Sequence, residues 1–135
     1  MIAGIGTDIA KVSRFEKWVN NPGLIFRFFN SCEIIPAEES KARKINFLCE
    51  HYASRFAAKE AFAKALGTGF VGLDLSDFGI QKDDAGRPFF HFGEKTASVI
   101  EKKCGKGAKV SVSISHEKEF AVSFVVIENR GISDV

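Results

Sequence analysis

The sequence predicts an α+β fold in which an antiparallel sheet packs against one long helix. Two features predict it: an unbroken helical pattern over residues 45–66, and alternating apolar and polar residues over 110–115 and 120–128. The chain has 135 residues, of which 45% are hydrophobic and 14 are Phe. A chain of this size can bury a core without disulfides, so we expect one domain over residues 1–129 and a flexible tail over 130–135.

The charge and the cysteines narrow the class of protein. The net charge is +2, which argues against a nucleic-acid partner. Cys32, Cys49 and Cys104 form no Cys-x-x-Cys pair, so neither a zinc site nor a disulfide framework is indicated, and reduced thiols in a cytoplasmic protein are expected. The amino terminus lacks a signal-peptide pattern, and no segment reaches the ~18 apolar residues of a membrane span.

The first half of the chain predicts one strand followed by helices. Ser13 and Glu16 form a capping-box pattern, so a helix is expected to begin at Arg14. Residues 20–23, Asn-Asn-Pro-Gly, are expected to end it. The other elements predicted here are a strand over 2–11, helices over about 24–30 and from near Pro36, and the long helix over about 45–66, capped by Gly67.

The second half predicts two hairpins around a helix. Residues 83–86, Asp-Asp-Ala-Gly, predict a turn between two strands, and residues 116–119 predict a tight connection between two more. The expected elements, in order, are strands over 78–82 and 87–92, a helix over 94–104, and strands over 110–115 and 120–128. We expect them to end in an antiparallel meander.

The first strand places an acid beside two glycines. Gly4, Gly6 and Asp8 share one face because side chains alternate along a strand. Glycine inside a strand often marks the close approach of a ligand or of another backbone. Both alternatives remain open from the sequence.

The long helix places a second acid on its apolar face. Cys49, Ala53 and Phe56 form an apolar stripe at helical spacing, and Glu60 falls within it, four residues after Phe56. An ionised carboxylate buried there costs several kcal/mol unless it is compensated. A basic side chain or a metal is therefore expected beside Glu60.

If the helix packs on the first strand, Asp8 and Glu60 converge. Two carboxylates, completed by waters and substrate phosphates, are typical of an Mg²⁺ site. The alternative is that Asp8 merely ends a strand and Glu60 pairs with Lys64 at i, i+4. Lys59 and Lys64 flank Glu60 and suit a polyphosphate substrate, although a solvated helix face would look the same.

Three further patterns allow two interpretations each. Ser115-His116 at a hairpin tip could hold a phosphate or be merely exposed. The run Gly67-Thr68-Gly69 lacks the Lys of a P-loop, so a helix-ending turn is expected. A set of basic and aromatic side chains could form a docking surface for an acidic helical partner, or be solvated charges and core aromatics: Lys11, Arg14, Lys17, Arg27, Phe26, Phe28 and Phe29.

Three segments together resemble one family. Gly4-Ile5-Gly6-Thr7-Asp8-Ile9, the run from Arg55 to Gly69, and Ser113-Ile114-Ser115-His116 are similar, in order and spacing, to the hallmark segments of the holo-[acyl-carrier-protein] synthases. These are the small bacterial class of 4′-phosphopantetheinyl transferases. The resemblance implies the 4′-phosphopantetheinyl transferase-like fold. Residues 30–50 depart from the family pattern and carry a lysine-rich stretch.

The resemblance also implies a reaction and its site. The 4′-phosphopantetheine arm of coenzyme A moves to a serine of apo-acyl carrier protein, which releases adenosine 3′,5′-bisphosphate and supports fatty acid biosynthesis. By the resemblance, Asp8 and Glu60 bind Mg²⁺, and Glu60, directly or through a metal-bound water, deprotonates the serine. Lys64 contacts the phosphates. The remaining implied residues are Arg87, Pro88, Ser115 and His116 for coenzyme A, and Arg14, Lys17 and Arg27 for the carrier protein.

Family members of this size are homotrimers that bind coenzyme A between subunits. The resemblance therefore implies a homotrimer with shared sites for this chain. Two other functions stay open on the sequence. A metal-dependent pyrophosphatase acting on nucleotides would use the same carboxylates without a carrier protein. A non-catalytic helix-docking module would use Arg14, Lys17 and the Phe cluster and would not depend on Mg²⁺.

Overall fold

The computed structural model describes residues 1–129, and the predicted flexible tail over 130–135 lies outside the described residues. The α+β class is confirmed. The described elements are β1 (Ile2–Lys11), α1 (Glu16–Val19), α2 (Pro22–Phe28), α3 (Ala37–Ala42), α4 (Ile45–Leu66), β2 (Phe78–Lys82), β3 (Pro88–Phe92), α5 (Glu94–Cys104), β4 (Lys109–His116) and β5 (Phe120–Glu128).

The strands form two antiparallel sheets. One has the order β1-β5-β4 and the other is the hairpin β2-β3. Asp8 of β1 pairs with Ser123 of β5, which in turn pairs with Ile114 of β4. The final hairpin is therefore as expected, but the described strands of the second half do not form one consecutive meander, because β2 and β3 lie in a separate sheet. The inward residues of β5 are fully buried, so this strand takes the centre of the sheet.

Helix α4 lies directly on the inner face of β1. A Cβ added at Gly4 would lie 1.9 Å from the carbonyl oxygen of Ala65, and one added at Gly6 would lie 1.9 Å from that of Ala61. The open question about these glycines is thus settled: another backbone approaches them. Side chains at either position would push the helix off the strand.

The long helix has the predicted bounds. Gly67 ends it in the left-handed region at φ 81°, where glycine carries no Cβ penalty. Cys49, Ala53 and Phe56 are buried, as the apolar stripe predicts. The helix is buried on most of its circumference, because the sheet covers one side and the aromatic side chains of α1 and α2 cover another.

The predicted helix start at Arg14 is wrong. Residues Val12–Phe15 form a 3₁₀ turn, and α1 begins only at Glu16 without a side-chain cap. Val12 and Phe15 are both buried, and residues three apart line up on one side of a 3₁₀ turn. Burial of this pair overrides the capping box that Ser13 suggests.

Helix α2 begins earlier than expected. The predicted break contains its start: Asn21 is the N-cap and accepts a hydrogen bond from the amide of Leu24 at 3.4 Å, and Pro22 opens the first turn. Trp18, which the sequence patterns did not single out, joins the helices. Its ring centroid lies 5.2 Å from that of Phe28 on α2 and 5.0 Å from that of Phe56 on α4.

No helix within residues 1–129 is long and apolar enough to cross a bilayer.

Candidate active site

The two acids singled out by the sequence meet where α4 crosses β1. Asp8 follows Gly6 on the inner face of the strand, and Glu60 precedes Ala61, the residue whose carbonyl touches Gly6. The carboxyl groups of Asp8 and Glu60 lie close enough together for the charge of Asp8 to act on Glu60. The close approach permitted by the glycines therefore brings the two acids together.

The environment of Glu60 favours its protonated form. Partial burial, and then the negative charge and hydrogen-bonding capacity of the nearby Asp8 carboxyl group, raise the pKa of Glu60 to about 7. Arg14 and Lys64 act in the opposite direction. A carboxyl group with a pKa near neutrality can exchange a proton at physiological pH, which is the requirement for a general base.

The expected positive charge beside the acids is present. The ammonium of Lys64 lies 3.0 Å from a carboxylate oxygen of Asp8 and donates to the backbone oxygen of Thr7, also at 3.0 Å. Lys64 thus pairs with Asp8 and not with Glu60, in contrast to the i, i+4 alternative. The guanidinium of Arg14 lies 5.5 Å from the ring of Phe15 and 5.7 Å from that of Phe56.

The donor set fits Mg²⁺ only in part. Within residues 1–129, no group of three or more His, Cys, Asp or Glu side chains could hold a metal. Asp8 and Glu60 offer two hard oxygen ligands, and Mg²⁺ is commonly held by one or two carboxylates, with waters and substrate phosphates as the other ligands. These residues therefore fit a metal that binds together with a phosphorylated substrate.

Lys59 does not belong to this site, so its expected role beside the phosphates is wrong. Its side chain is fully buried and lies 2.7 Å from a carboxylate oxygen of Glu33. Its ammonium also donates to the backbone oxygens of Leu75, at 2.9 Å, and Phe78. At 100° per residue, neighbours on a helix point in different directions, and Lys59 points into the core where Glu60 points towards β1. Nothing in the sequence pattern marked Glu33 as its partner.

Ser115 and His116 lie at the far end of β4. The Nδ1 of His116 is 3.8 Å from a carboxylate oxygen of Glu50 on α4. From the strand pairings, the Cα of His116 lies about 12 Å from that of Asp8. The structure does not bring His116 to the two acids of the same chain.

Arg87 and Pro88 lie in the other sheet. The Asp83 carboxylate accepts hydrogen bonds from the backbone amides of Ala85 and Arg87, each at 2.9 Å, and so stabilises the turn that precedes β3. Among the described residues, no hydrogen bond or ion pair joins Arg87 to the acids or to Lys64.

The residues predicted to dock a partner do not all lie on the surface. Arg27 stacks on Phe28 at 5.2 Å, and Lys17 is exposed. Of the aromatic residues, Phe26 is 66% exposed, whereas Phe29 belongs to the core. Phe26 also borders an apolar groove of about 540 Å³, whose other lining residues include Ile25, Ile34, Ile35 and Tyr52.

The outer face of the three-stranded sheet carries large apolar side chains. Ile5 is 70% exposed, Ile9 63% and Phe124 58%. Two grooves cross this face, one of about 490 Å³ that reaches Lys64 and one of about 350 Å³ that reaches Ser115 and His116. Exposed apolar patches of this kind mark interaction surfaces.

Comparison with known proteins covers almost the whole chain. The model of the 4′-phosphopantetheinyl transferase superfamily matches residues 4–125. A Treponema denticola protein named holo-[acyl-carrier-protein] synthase is 45% identical over 129 residues, which is 95% of this chain and 99% of the relative. The match therefore includes β1, α4 and the final hairpin.

Comparison with solved structures identifies the same family. A holo-(acyl-carrier-protein) synthase of Bacillus anthracis, in complex with coenzyme A (3′,5′-ADP), has a TM-score of 0.75 and 36% identity and covers 96% of this chain and 98% of that chain. Holo-ACP-synthase of Plasmodium yoelii has a TM-score of 0.80 and 30% identity, with 97% and 98% covered. The fold is thus that of known holo-acyl-carrier-protein synthases.

Proposed function

The chain belongs to the 4′-phosphopantetheinyl transferase superfamily, and on this basis we propose that it transfers the 4′-phosphopantetheine group of coenzyme A to a serine of an apo-acyl carrier protein. The products are holo-carrier protein and adenosine 3′,5′-bisphosphate. One observation within this chain supports the reaction above the others: two acids 52 positions apart in sequence interact beside Lys64, whose ammonium pairs with Asp8.

Asp8 and Glu60 would hold Mg²⁺ together with the diphosphate of coenzyme A. When bound, the ion would neutralise negative charge on the phosphates during the transfer. Lys64 adds a second cation at the same place, and its ammonium is free to move from Asp8 to a phosphate oxygen because its side chain is 57% exposed.

Glu60 is the candidate base for the carrier serine. The serine oxygen forms a bond to the phosphorus that carries the pantetheine arm, while the bond from that phosphorus to the bridging oxygen breaks. The proton of the serine hydroxyl passes to the Glu60 carboxylate, and the electron pair of the broken bond leaves with the adenosine bisphosphate.

We assign carrier docking to the surface that holds Arg14, Lys17 and Arg27. Arg14 is the link between this surface and the reaction site, because its charge acts on Glu60 while its guanidinium rests on Phe15 and Phe56. An acidic helix of the carrier would meet three cations and the exposed ring of Phe26.

A homotrimer with coenzyme A between subunits fits the spacing of the groups. Glu50, the neighbour of His116, and Glu60 lie ten residues apart on α4, which separates them by about 15 Å along the helix axis. The two grooves on the outer sheet face are also separate, one beside Lys64 and one beside His116. Packing of these faces between subunits would place Lys64 of one chain near His116 of another. In that arrangement Ser115, Arg87 and Pro88 would complete the nucleotide site.

A cytoplasmic location is supported by the free thiols of Cys32, Cys49 and Cys104. There, holo-carrier protein would supply fatty acid biosynthesis.

The proposal is tested by mixing the protein with coenzyme A, Mg²⁺ and apo-acyl carrier protein and weighing the carrier by mass spectrometry. The carrier should gain the mass of one phosphopantetheine arm, and chelation of Mg²⁺ should abolish the gain. An unchanged carrier, with adenosine 3′,5′-bisphosphate released in the presence of water alone, would instead identify a nucleotide pyrophosphatase.

A further inference from the structure

Glu50 is an acidic residue that the proposed reaction does not use. It lies on α4 between Cys49, which is buried, and His51, and its side chain is 21% exposed. One carboxylate oxygen accepts a hydrogen bond from the side-chain amide of Asn46 at 3.1 Å. The other lies 3.8 Å from the Nδ1 of His116, which is within ion-pair distance.

This contact joins a rigid element to an exposed one. Helix α4 is anchored by its buried residues on both sides of Glu50, including Leu48 and Ala53. His116 is the last residue of β4, its side chain is 46% exposed, and its ring forms no hydrogen bond to another described residue. Among the described residues, Glu50 is the acid that forms an ion pair with the ring.

The choice of ring nitrogen matters for a ligand. Both ring nitrogens of a protonated histidine carry a hydrogen, so Nδ1–H can face a carboxylate while Nε2–H donates to a second acceptor such as a phosphate oxygen. Outer partners of this kind are known to orient histidines that bind metals. Here the free Nε2 would be directed away from α4, at the end of the sheet where the groove beside His116 opens.

We propose that Glu50 is a positioning residue for coenzyme A binding: it holds the ring of His116 so that Nε2 presents to a phosphate of the nucleotide. The inference rests on the proposed function, since it requires coenzyme A to be the ligand. Asn46 takes part indirectly by fixing the second oxygen of the Glu50 carboxylate.

The position of the charge supports this assignment. A carboxylate close to a phosphate would repel it, but the imidazole ring of His116 separates the two. When the ring binds phosphate as the imidazolium, Nδ1–H faces Glu50 and Nε2–H faces the ligand. Glu117 and Lys118 follow in the same turn, and neither forms an ion pair with another described residue.

The test is a double-mutant cycle on the affinity for coenzyme A, measured by calorimetry on the full chain without carrier protein. Glu50→Gln keeps the shape and the contact with Asn46 but removes the charge. We expect it to weaken coenzyme A binding about fivefold, the scale of a partly exposed ion pair. In a His116→Gln background the same substitution should have no further effect, because the two residues act through one contact.

Two readouts distinguish positioning from a general structural role. Glu50→Gln should raise KM for coenzyme A while kcat and KM for the carrier protein stay within about twofold of the wild-type values, as expected when only ground-state binding is lost. Glu101→Gln, on the exposed side of α5, is the matched control and should change neither.

The outcomes separate this inference from the proposed function. If the wild-type protein binds no coenzyme A, the proposed function itself is wrong. If the wild-type protein binds coenzyme A but Glu50→Gln binds it equally well, or if the loss persists undiminished without His116, Glu50 does not act through His116 and the inference is overturned.

Discussion

At the scale of single residues, the feature that defines this protein is a pair of interacting acids, Asp8 and Glu60. Asp8 and Glu60 repel each other when both are ionised, and the partly buried Glu60 therefore has a pKa of about 7. Only a cation makes full ionisation of the pair favourable. The chain provides one itself in Lys64, and the proposed reaction adds a second in Mg²⁺.

The first prediction concerns Glu60→Gln. The amide keeps the shape of the side chain but can neither bind Mg²⁺ well nor accept the serine proton, so turnover should fall by about a thousandfold or more. The rate at which the carrier gains mass measures it. Turnover within tenfold of the wild-type value would remove Glu60 from the reaction site.

The same variant should reveal a pH dependence of stability in metal-free buffer. The folded state raises the pKa of Glu60 above its usual value of 4.5 to about 7, so it binds the proton more tightly than the unfolded state does. This contribution to stability is present below pH 4.5 and is lost as the pH rises through 7. Glu60→Gln should lack that loss and should melt at a higher temperature than the wild type at pH 8, by a few degrees at most.

The second prediction concerns Lys64→Gln. The ammonium now lies 3.0 Å from Asp8, where it competes with a metal for the same carboxylate. Its removal should tighten Mn²⁺ binding in the absence of coenzyme A severalfold, measured by electron paramagnetic resonance of the free ion, while turnover falls about a hundredfold. Lys95→Gln removes an exposed ion pair with Asp74 instead and should change neither quantity. Weaker metal binding in Lys64→Gln would contradict the competition.

At the scale of elements, the site exists because α4 and β1 touch through their backbones. Gly6→Ala should therefore destabilise the fold by about 2 kcal/mol or more, since its Cβ would overlap the carbonyl of Ala61. Urea unfolding measures the loss. Gly23→Ala is the matched substitution, with only a flexible side-chain oxygen 3.3 Å away, and should stay within about 1 kcal/mol of the wild type. Equal effects of the two would show that the close approach at Gly6 is unimportant.

A buried ion pair ties α4 to its other neighbours. Glu33 forms an ion pair with Lys59 and also accepts hydrogen bonds from the backbone amides of Asn30 and Ile80, each at 3.0 Å. Lys59→Met leaves this carboxylate buried without its cation and should lower the free energy of unfolding by about 3 kcal/mol or more. Adding Glu33→Gln should restore part of the loss, because the uncompensated charge is gone. Purely additive losses in the double variant would show that the pair is not coupled.

At the scale of the whole molecule, the outer sheet face is the surface that a trimer would bury. Phe124→Glu should yield monomers in sedimentation experiments and lose transferase activity, although Asp8 and Glu60 are untouched. Phe26→Glu places the same charge on another exposed ring and should leave the oligomer intact while it weakens carrier binding. A wild-type protein that sediments as a monomer, yet is fully active, would contradict shared sites.

Mixing variants tests the shared sites directly. Trimers assembled from Glu60→Gln and His116→Gln chains contain some sites in which both residues are intact, if these come from different subunits. Such mixtures should recover activity well above that of either variant alone. Failure to recover any activity after co-refolding would place both residues in the site of one chain.

The sequence by itself predicted most of the element types and the convergence of Asp8 and Glu60. Helix α4 was predicted with its bounds because its period and its Gly67 cap are local properties, and Asp8 and Glu60 were recognised because an acid on an apolar or glycine-lined face is conspicuous. The capping box at Ser13 predicted a helix start that the structure does not have. A cap contributes about 1 kcal/mol, and the burial of Val12 and Phe15, which depends on the packing of the whole chain, outweighs it.

Only the tertiary structure decided which partners the charged residues take. Lys59 and Lys64 look equivalent along the chain, yet one is buried against Glu33 and the other pairs with Asp8. The contact between Glu50 and His116 likewise joins residues 66 positions apart. Local patterns report which face of an element a side chain occupies. The energy of a charge depends on what lies across from it, and that is fixed when the elements pack.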